Sequence, residues 1–225
     1  NFGGEATQGY FAIYDGHGGR GAVDFTAENL HLNLLKEIAK SPDDMKEALK
    51  QSYLSTDREI SEKKIQAGTT AVSALIQRSK DGSKRWLYVA NAGDARAVLG
   101  RKGKAVRLSY DHKGSDESET KRITDLGGFM LLNRVNGILA VTRSLGDSSM
   151  KEYVIGEPFM TATELNEDDT HLILACDGLW DVASDQEALD LIQNDTDAAV
   201  SSQKLLQYAL KKGSTDNVSI MVIIL

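Results

Sequence analysis

The sequence predicts an α+β fold in which helices cover antiparallel sheets. Three observations support this prediction. Apolar residues recur at three- and four-residue spacing over about 21–39 and 45–65, which is typical of two amphipathic helices. Residues 71–108 hold short apolar runs separated by DG, GD and KG dipeptides, which is typical of an antiparallel meander. Two further helical patterns, at about 185–194 and 197–212, precede a closing apolar strand.

The other elements follow in chain order. An apolar run at 10–14, bounded by glycines, predicts the first strand. Residues 118–126 form a polar helical pattern that ends at a glycine pair, and the FMLLN and GILAVTR runs predict two short strands. The run HLILACDG at 171–178 is apolar enough for a strand buried on both faces. The alternative is a doubly wound parallel sheet, because the first strand leads through a glycine loop into a helix, but the meander disfavours it.

Length and composition limit the classes of function. The 225 residues, 41% of them hydrophobic, are enough for one large domain, and we expect a single domain over 1–225. The formal net charge of −7 disfavours nucleic acid or a membrane surface as partner. One cysteine permits no internal disulfide, and no apolar run approaches the roughly 20 residues that span a bilayer. We therefore expect a monomer in the cytoplasm or the nucleus.

Three aspartates stand beside turn residues where apolar runs end or begin. They are Asp15 in YFAIYDGHGG, Asp177 in HLILACDGLWD and Asp216 in STDNVSIMVII. If the strands are neighbours, the three carboxylates converge at one sheet edge and repel one another unless cations lie among them. Oxygen ligands suit Mg²⁺ and Mn²⁺. The pattern predicts two such ions with Asp15 shared between them, and ions about 3.5–4 Å apart promote hydrolytic displacement at phosphorus.

A histidine in the glycine loop is the candidate acid. His17 follows Asp15 by two residues, and an imidazolium there would protonate the departing oxygen of serine or threonine. The alternative is a loop histidine that makes one backbone hydrogen bond. An aspartyl nucleophile at Asp15 is disfavoured, because the usual second aspartate two positions later is replaced by His17.

Two more aspartates lie in turns near these elements. Asp94 in NAGDARAVL and Asp181 in DGLWDV either cap their own backbone or, if they approach Asp177, add a third and looser cation site. Several other conspicuous side chains are interpreted as structural: Trp180 and Cys176 as core residues, His112 as a loop anchor, and Arg134 and Arg143 as surface or structural ion pairs.

Seven motifs occur in the order and approximate spacing of the metal-dependent protein serine/threonine phosphatases, the type 2C or PPM family. They are YDGHGG, GTTAV, NAGDARAVL, YDHK, RVNGILAVTRSLGD, LACDGLWDV and GSTDNVSIMVI. The chain resembles this family from Tyr10 to Leu225, and from Arg134 onward it is especially similar to small fungal members that oppose stress-activated MAP kinase cascades. The resemblance implies a four-layer α/β/β/α sandwich, two antiparallel sheets flanked by helix pairs, that hydrolyses phosphoserine and phosphothreonine in proteins.

Carried over by motif, the resemblance also implies site roles. Asp15 would bridge two Mg²⁺ or Mn²⁺ ions, the Gly16 carbonyl would bind one of them, and Asp177 and Asp216 the other. His17 would be the general acid. Asn217 would lie beside the ions and Thr70 near the water network. The family's third, weaker metal position would map to Asp94, Asp177 and Asp181.

Two departures from the family pattern qualify these expectations. Family members carry an N-terminal strand with a phosphate-binding arginine and a Glu-Asp pair, and the given sequence begins after that point. An alternative function is therefore a catalytically impaired binding or regulatory module on the same fold. Secondly, YDHKG places Gly114 where the family usually has proline, which predicts a looser turn. The segment from about 113 to 158 includes the variable flap that helps such enzymes choose substrates.

Overall fold

The computed structural model describes residues 2–4 and 8–225. Its strands are β1 (Gln8–His17), β2 (Gly68–Arg78), β3 (Arg85–Ala92), β4 (Arg96–Arg101), β5 (Lys104–Arg107), β6 (Met130–Leu131), β7 (Arg134–Val135), β8 (Leu145–Gly146), β9 (Phe159–Leu165), β10 (Asp169–Ala175) and β11 (Ile220–Ile224). Its helices are α1 (Gly21–Lys40), α2 (Met45–Glu62), α3 (Glu117–Asp125), α4 (Asp177–Trp180), α5 (Asp185–Ile192) and α6 (Ala198–Lys211).

The strands form two main antiparallel sheets. The first has the order β1-β2-β3-β9, with β8 also pairing with β2, and the second has the order β11-β10-β4-β5. Strand pairing within both sheets is antiparallel, so the doubly wound alternative is wrong. The expected meander over 71–108 is divided, because β2 and β3 belong to the first sheet whereas β4 and β5 belong to the second.

Alternation along the central strands builds the layers. On β2, Ala71 and Leu75 pack against α1 and α2, whereas Val72 and Ala74 face the second sheet. On β10, Leu172 and Leu174 face the first sheet, whereas Ile173 packs against α4, α5 and α6. Two sheets are thus stacked with a helical layer on each outer face. This is the expected four-layer sandwich, and β10 is buried on both faces as the sequence predicts.

Local sequence explains where the helices begin. The side chains of Asp44 and Asp116 accept hydrogen bonds from the backbone of the first turns of α2 and α3. Ser184 and Glu187 form a capping box at the start of α5. None of the helices within residues 2–4 and 8–225 is both long and apolar enough to cross a membrane.

The structure differs from the sequence predictions mainly between α3 and β10. GILAVTR makes only isolated bridges, and FMLLN contributes one strand of the short β6–β7 hairpin. The sequence analysis missed β9, an edge strand whose FMTATEL sequence mixes apolar residues with threonine and glutamate. Such an edge strand has too little apolar alternation to stand out from a loop.

Gly114 is held more tightly than the sequence predicts. Its N–H donates to the Ala140 carbonyl at 3.1 Å, and a Cβ at this position would overlap the Asn133 carbonyl. Proline has a Cβ and no N–H, so it fits neither contact. The expectation of a looser turn is therefore wrong, since glycine lets the turn pack directly against the β6–β7 hairpin.

Candidate functional site

The three aspartates meet between the two sheets. Asp177 begins α4 directly after β10, and Asp216 precedes β11, which pairs antiparallel with β10. Asp15 lies inside β1 near its end, in the other sheet. The predicted convergence at one sheet edge is therefore wrong in its geometry: the acids come from both sheets and meet at one end of the sandwich.

A single cavity of about 250 Å³ collects eight of the nine site residues named from the sequence. They are Asp15, Gly16, His17, Thr70, Asp94, Asp177, Asp216 and Asn217. The ninth, Asp181, is not among the lining residues, and its side chain is 58% exposed. Leu139, Ala140 and Val141 form an apolar part of the wall. One end of the sandwich thus combines an acidic floor with an apolar rim.

The acidic floor is electrostatically strained. Burial and the charges of Asp177 and Asp216 raise the pKa of Asp15 to about 6. Burial, with Asp181 and Asp216, also raises the pKa of Asp177. The ligand atoms of Asp15, Asp177 and Cys176 all lie within 4.8 Å of one another. Carboxylates this close repel unless a proton or a cation lies among them.

Unpartnered oxygen atoms show that the floor suits cations. Asp177 Oδ1 and Thr70 Oγ1 are buried and have no hydrogen-bond partner within the described part of the chain. A buried acceptor without a donor is unfavourable, and carboxylate oxygens are the ligands that Mg²⁺ and Mn²⁺ prefer. The residues present therefore fit divalent cations held by oxygen.

The nearby sulfur does not fit that role. Cys176 is buried, its thiol donates to the Asn217 carbonyl at 3.2 Å, and its sulfur accepts from the Ser219 N–H at 3.2 Å. Burial raises the pKa of this thiol to about 11, so it is protonated at neutral pH. Metals bind the thiolate, so the interpretation of Cys176 as a core residue is consistent with the structure.

Asp94 faces the acidic floor, where Lys113 opposes its charge. It is 7% exposed, and burial, followed by the charge of Asp177, raises its pKa to about 7. The Lys113 Nζ lies 3.8 Å from Asp94 Oδ2 and 2.7 Å from Asp181 Oδ1. Asp94, Asp177 and Asp181 are therefore one coupled cluster, as the third-site interpretation requires.

His17 is held by a carboxylate that the sequence analysis missed. Its Nε2 lies 2.7 Å from Asp147 Oδ2, and Asp147 also accepts from the Ser144 hydroxyl. The adjacent Gly146 N–H donates to Asp57 Oδ1 at 2.8 Å, which ties this loop to α2. His17 therefore makes a side-chain pair, whereas the alternative interpretation expected a backbone bond. The only sequence signal for Asp147 was its place in the RSLGD run.

The GTTAV motif makes room for this pair. A Cβ at Gly68 would overlap Asp147 Oδ2 and His17 Nε2, so any larger residue would separate them. Gly68 faces His17 across the β1–β2 pairing, and Asp15 faces Thr70 two positions along. The β1–β2 register thus places Gly68 directly opposite His17, where the absence of a side chain leaves room for Asp147, and it places Asp15 two residues away on the same strand as His17.

The residues interpreted as structural behave so with one exception. Trp180 is buried with its Nε1 donating to the Ala175 carbonyl at 2.9 Å, and the His112 ring is hydrogen-bonded to Gly93. Arg143 pairs with Glu119 at 2.7 Å. Arg134 instead lines the cavity, where its Nη1 donates to the Ile138 carbonyl at 2.9 Å.

Comparison with known proteins identifies the family. Residues 1–218 match the sequence profile of the family described as Protein phosphatase 2C. The chain is 46% identical over 227 residues to "Protein phosphatase 2C homolog 1" of Schizosaccharomyces pombe, covering 99% of this chain and 65% of that protein. It is 42% identical over 238 residues to "Protein phosphatase 2C homolog 1" of Saccharomyces cerevisiae, covering 100% of this chain and 85% of that protein. The chain belongs to the protein phosphatase 2C family.

Solved structures support the fold of this family member. The "serine-threonine phosphatase 2C from Toxoplasma gondii" superposes with a TM-score of 0.82 at 21% identity, covering 99% of this chain and 86% of that one. The family match and the two yeast relatives confirm the predicted family and the resemblance to fungal members. Protein phosphatase 2C enzymes are metal-dependent protein serine/threonine phosphatases. The chain spans somewhat less than two thirds of the length of the fission yeast relative.

Proposed function

We propose that this chain hydrolyses phosphoserine and phosphothreonine esters in proteins, with water as the nucleophile and two Mg²⁺ or Mn²⁺ ions as cofactors. The observation that carries the proposal is the cavity between the sheets. It collects carboxylates from four distant segments and leaves Asp177 Oδ1 without a donor in the described residues.

The proposed ligands are those that the family resemblance implies, and the cavity supports them because it gathers all four residues. Asp15 would be shared by both ions, the Gly16 carbonyl would bind one, and Asp177 and Asp216 would bind the other. When bound, the two ions would supply Lewis acidity, both for the phosphoryl oxygens and for a water whose pKa falls toward neutrality. The chain's own part is to hold these oxygens together despite their repulsion, so that cation binding relieves a strain already built into the fold.

His17 completes the chemistry by moving a proton. Its Nε2–H donates to Asp147, which leaves Nδ1 as the nitrogen that can pass a proton onward. As water adds to phosphorus, its proton passes to solvent and the bond from phosphorus to the serine or threonine oxygen breaks. The Nδ1–H of protonated His17 is transferred to that oxygen, and the neutral ring takes up a proton from solvent afterwards. Asp147 fixes the ring for this transfer, and the Gly146–Asp57 bond fixes Asp147.

The class of substrate is also proposed, and it rests on membership of the protein phosphatase 2C family. The substrates are phosphoproteins, and from the resemblance of the 134–225 region to small fungal members of the family we propose that components of a MAP kinase pathway are among them. We propose that the protein acts as a monomer in the cytoplasm or the nucleus. The negative formal charge fits partners other than nucleic acid.

Turnover of a phosphothreonine peptide against Mn²⁺ concentration tests the function. We expect a rate that depends on the metal, vanishes with a chelator, and falls by about 10³-fold or more in Asp15→Ala and Asp177→Ala, because each removes a direct ligand. Asp43→Ala is the matched control, since this exposed aspartate lies outside the cavity and, among the described residues, forms its ion pair with the exposed Lys80.

Three results separate the alternatives. Undiminished turnover in both ligand variants contradicts the proposal. Mn²⁺ binding without any turnover favours a binding module on the same fold. Covalent phosphate on Asp15, trapped by acid quench, would favour an aspartyl nucleophile.

A further inference from the structure

Lys113 stands against one side of the acidic cluster. Its Nζ lies 2.7 Å from Asp181 Oδ1 and 3.8 Å from Asp94 Oδ2, and its side chain is 32% exposed. Within residues 2–4 and 8–225, Lys113 makes the ion pairs to Asp94 and Asp181, and Asp15, Asp177 and Asp216 have no ion pair to lysine or arginine. The cluster is therefore asymmetric: Asp94 and Asp181 are ion-paired with Lys113, whereas Asp177 feels the charge of Lys113 only at longer range.

We propose that Lys113 competes with a divalent cation for the lobe formed by Asp94 and Asp181, so that its ammonium must leave before an ion binds there. This inference rests on the proposed metal-dependent function and concerns the weaker, third position. The ammonium and the ion need the same carboxylate oxygens, and they repel each other at such short range. The ion brings two positive charges where the ammonium brings one. Because the ion comes from solution whereas the ammonium is part of the chain, the exchange is favourable only at sufficient metal concentration.

The backbone around Lys113 is fixed, so the exchange is a movement of the side chain. The His112 N–H donates to the Gly93 carbonyl at 3.0 Å, which joins this turn to the segment that carries Asp94. Gly114 is packed against the Asn133 carbonyl on the other side. The lysine stem is flexible and partly exposed, and it can swing into solvent while both neighbouring residues stay in place.

The asymmetry predicts two classes of metal affinity. The Asp15–Asp177–Asp216 lobe lacks an internal cation among the described residues, so an ion entering it displaces none. The Asp94–Asp181 lobe is already partly neutralised, which lowers the gain from binding an ion. Lys113 is thus a positioning residue that separates the third site from the first two in affinity.

Mn²⁺ binding to Lys113→Met, measured by titration calorimetry and by the electron paramagnetic resonance of free Mn²⁺, tests the inference. Methionine keeps an unbranched stem and removes the charge. We expect the weakest class of sites to bind about tenfold more tightly, the size expected for removing one like charge in a solvent-exposed setting, while the affinity of the tighter class changes less. Lys113→Arg retains the charge and keeps the weak affinity.

Two further variants secure the interpretation. Lys121→Met removes a lysine that is 74% exposed and whose ion-pair partner in the described part of the chain is Asp125, and we expect it to leave both classes of sites unchanged. Adding Asp181→Asn to Lys113→Met should abolish the tenfold gain, because the gain acts through that carboxylate. Circular dichroism and thermal unfolding show whether each variant is folded. If Lys113→Met does not fold, Lys113→Arg still tests the inference, because a variant that keeps the positive charge must keep the weak affinity.

The outcomes are distinguishable from failure of the proposed function. If the unaltered protein binds no Mn²⁺, the metal-dependent function and this inference both fail. If it binds Mn²⁺ and Lys113→Met leaves the weak class unchanged or weaker, only the role of Lys113 is overturned. Tighter weak-site binding in Lys113→Arg would overturn it as well.

Discussion

This molecule has two clusters built around buried carboxylates, one at Glu119 and one in the cavity, and their negative charge is neutralised in different ways. Glu119, on α3, accepts hydrogen bonds from Arg143 at 2.7 and 3.0 Å, from Arg122 at 3.0 Å and from the Thr142 hydroxyl at 2.9 Å. Burial would raise the pKa of Glu119, but these partners lower it to about 2. At the cavity, burial and neighbouring acids raise the pKa of Asp15 to about 6.

The difference separates acids that maintain the fold from acids that await a ligand. Arg96, buried under Trp180 with their centres 4.9 Å apart, likewise lies between Asp111 and Asp185 and satisfies both. Glu119, Asp111 and Asp185 are thus each paired with a guanidinium group. The carboxylates of the cavity have a lysine on one side only, so a proton or a cation from solution is needed to neutralise the rest of their charge.

The largest expected effect concerns the first cluster. Glu119→Gln leaves the partly buried guanidinium groups of Arg122 and Arg143 without their buried carboxylate, so we expect the free energy of unfolding to fall by about 3 kcal/mol. Urea unfolding at pH 7 with a chelator present measures it. Glu117→Gln is the control, because Glu117 lies two residues earlier in α3 and is exposed. A fall in the free energy of unfolding no larger than that of Glu117→Gln would contradict the structural role assigned to Glu119.

The next effect concerns the carboxylate behind the histidine. Asp147→Asn keeps the size of the side chain but removes the charged acceptor of His17, so we expect turnover to fall by about 10²-fold, within the range of a general acid's contribution. Mn²⁺ affinity should change little, because Asp147 is not placed among the proposed ligands. Steady-state kinetics with saturating Mn²⁺ measures the rate. An unchanged rate would show that Asp147 supports the loop rather than the proton transfer.

How much of this comparison the sequence could reveal differs between the clusters. The sequence predicts Asp15, Asp177 and Asp216 at one sheet edge, and this holds for Asp177 and Asp216, because an apolar run that ends in an acid pairs as an antiparallel strand with one that begins after an acid. The sheet that β1 joins could not be read locally, since its partner β2 is more than 50 residues away and nothing in YFAIY specifies it. The fold was therefore predicted better than the assembly of its cavity.

Residues that act through long-range contacts were the ones missed. Asp147 meets His17 across 130 residues of chain, and a lone aspartate after glycine has no pattern that identifies such a partner. Gly114 was misinterpreted for the same reason, because the Asn133 carbonyl that requires a glycine there belongs to a later hairpin. Spacing shows which residue types are available, and packing decides what they contact.

A smaller effect follows from protons that compete with metal. The metal-free pKa values of Asp15 and Asp94 are about 6 and about 7, so both carboxyls become protonated as pH falls through that range. Metals bind the deprotonated form, and we expect Mn²⁺ affinity to be full at pH 8 and to fall about tenfold per pH unit below about 6. Calorimetric titrations from pH 8 to 5.5 measure it. A constant affinity over this range would contradict the strain assigned to the cavity.

The smallest effect is a gain in stability when the strain is removed. Because the folded-state pKa of Asp94 is raised, its contribution to metal-free stability is present below the unfolded value near 4 and is lost as pH rises through about 7. Asp94→Asn removes the buried charge, so we expect the free energy of unfolding in chelator to rise by about 1–2 kcal/mol at pH 8. At pH 5 the natural carboxyl is already protonated, and the gain should shrink. Urea unfolding at both pH values measures it, and a loss of stability at pH 8 would show that Asp94, like Glu119, is paired within the fold.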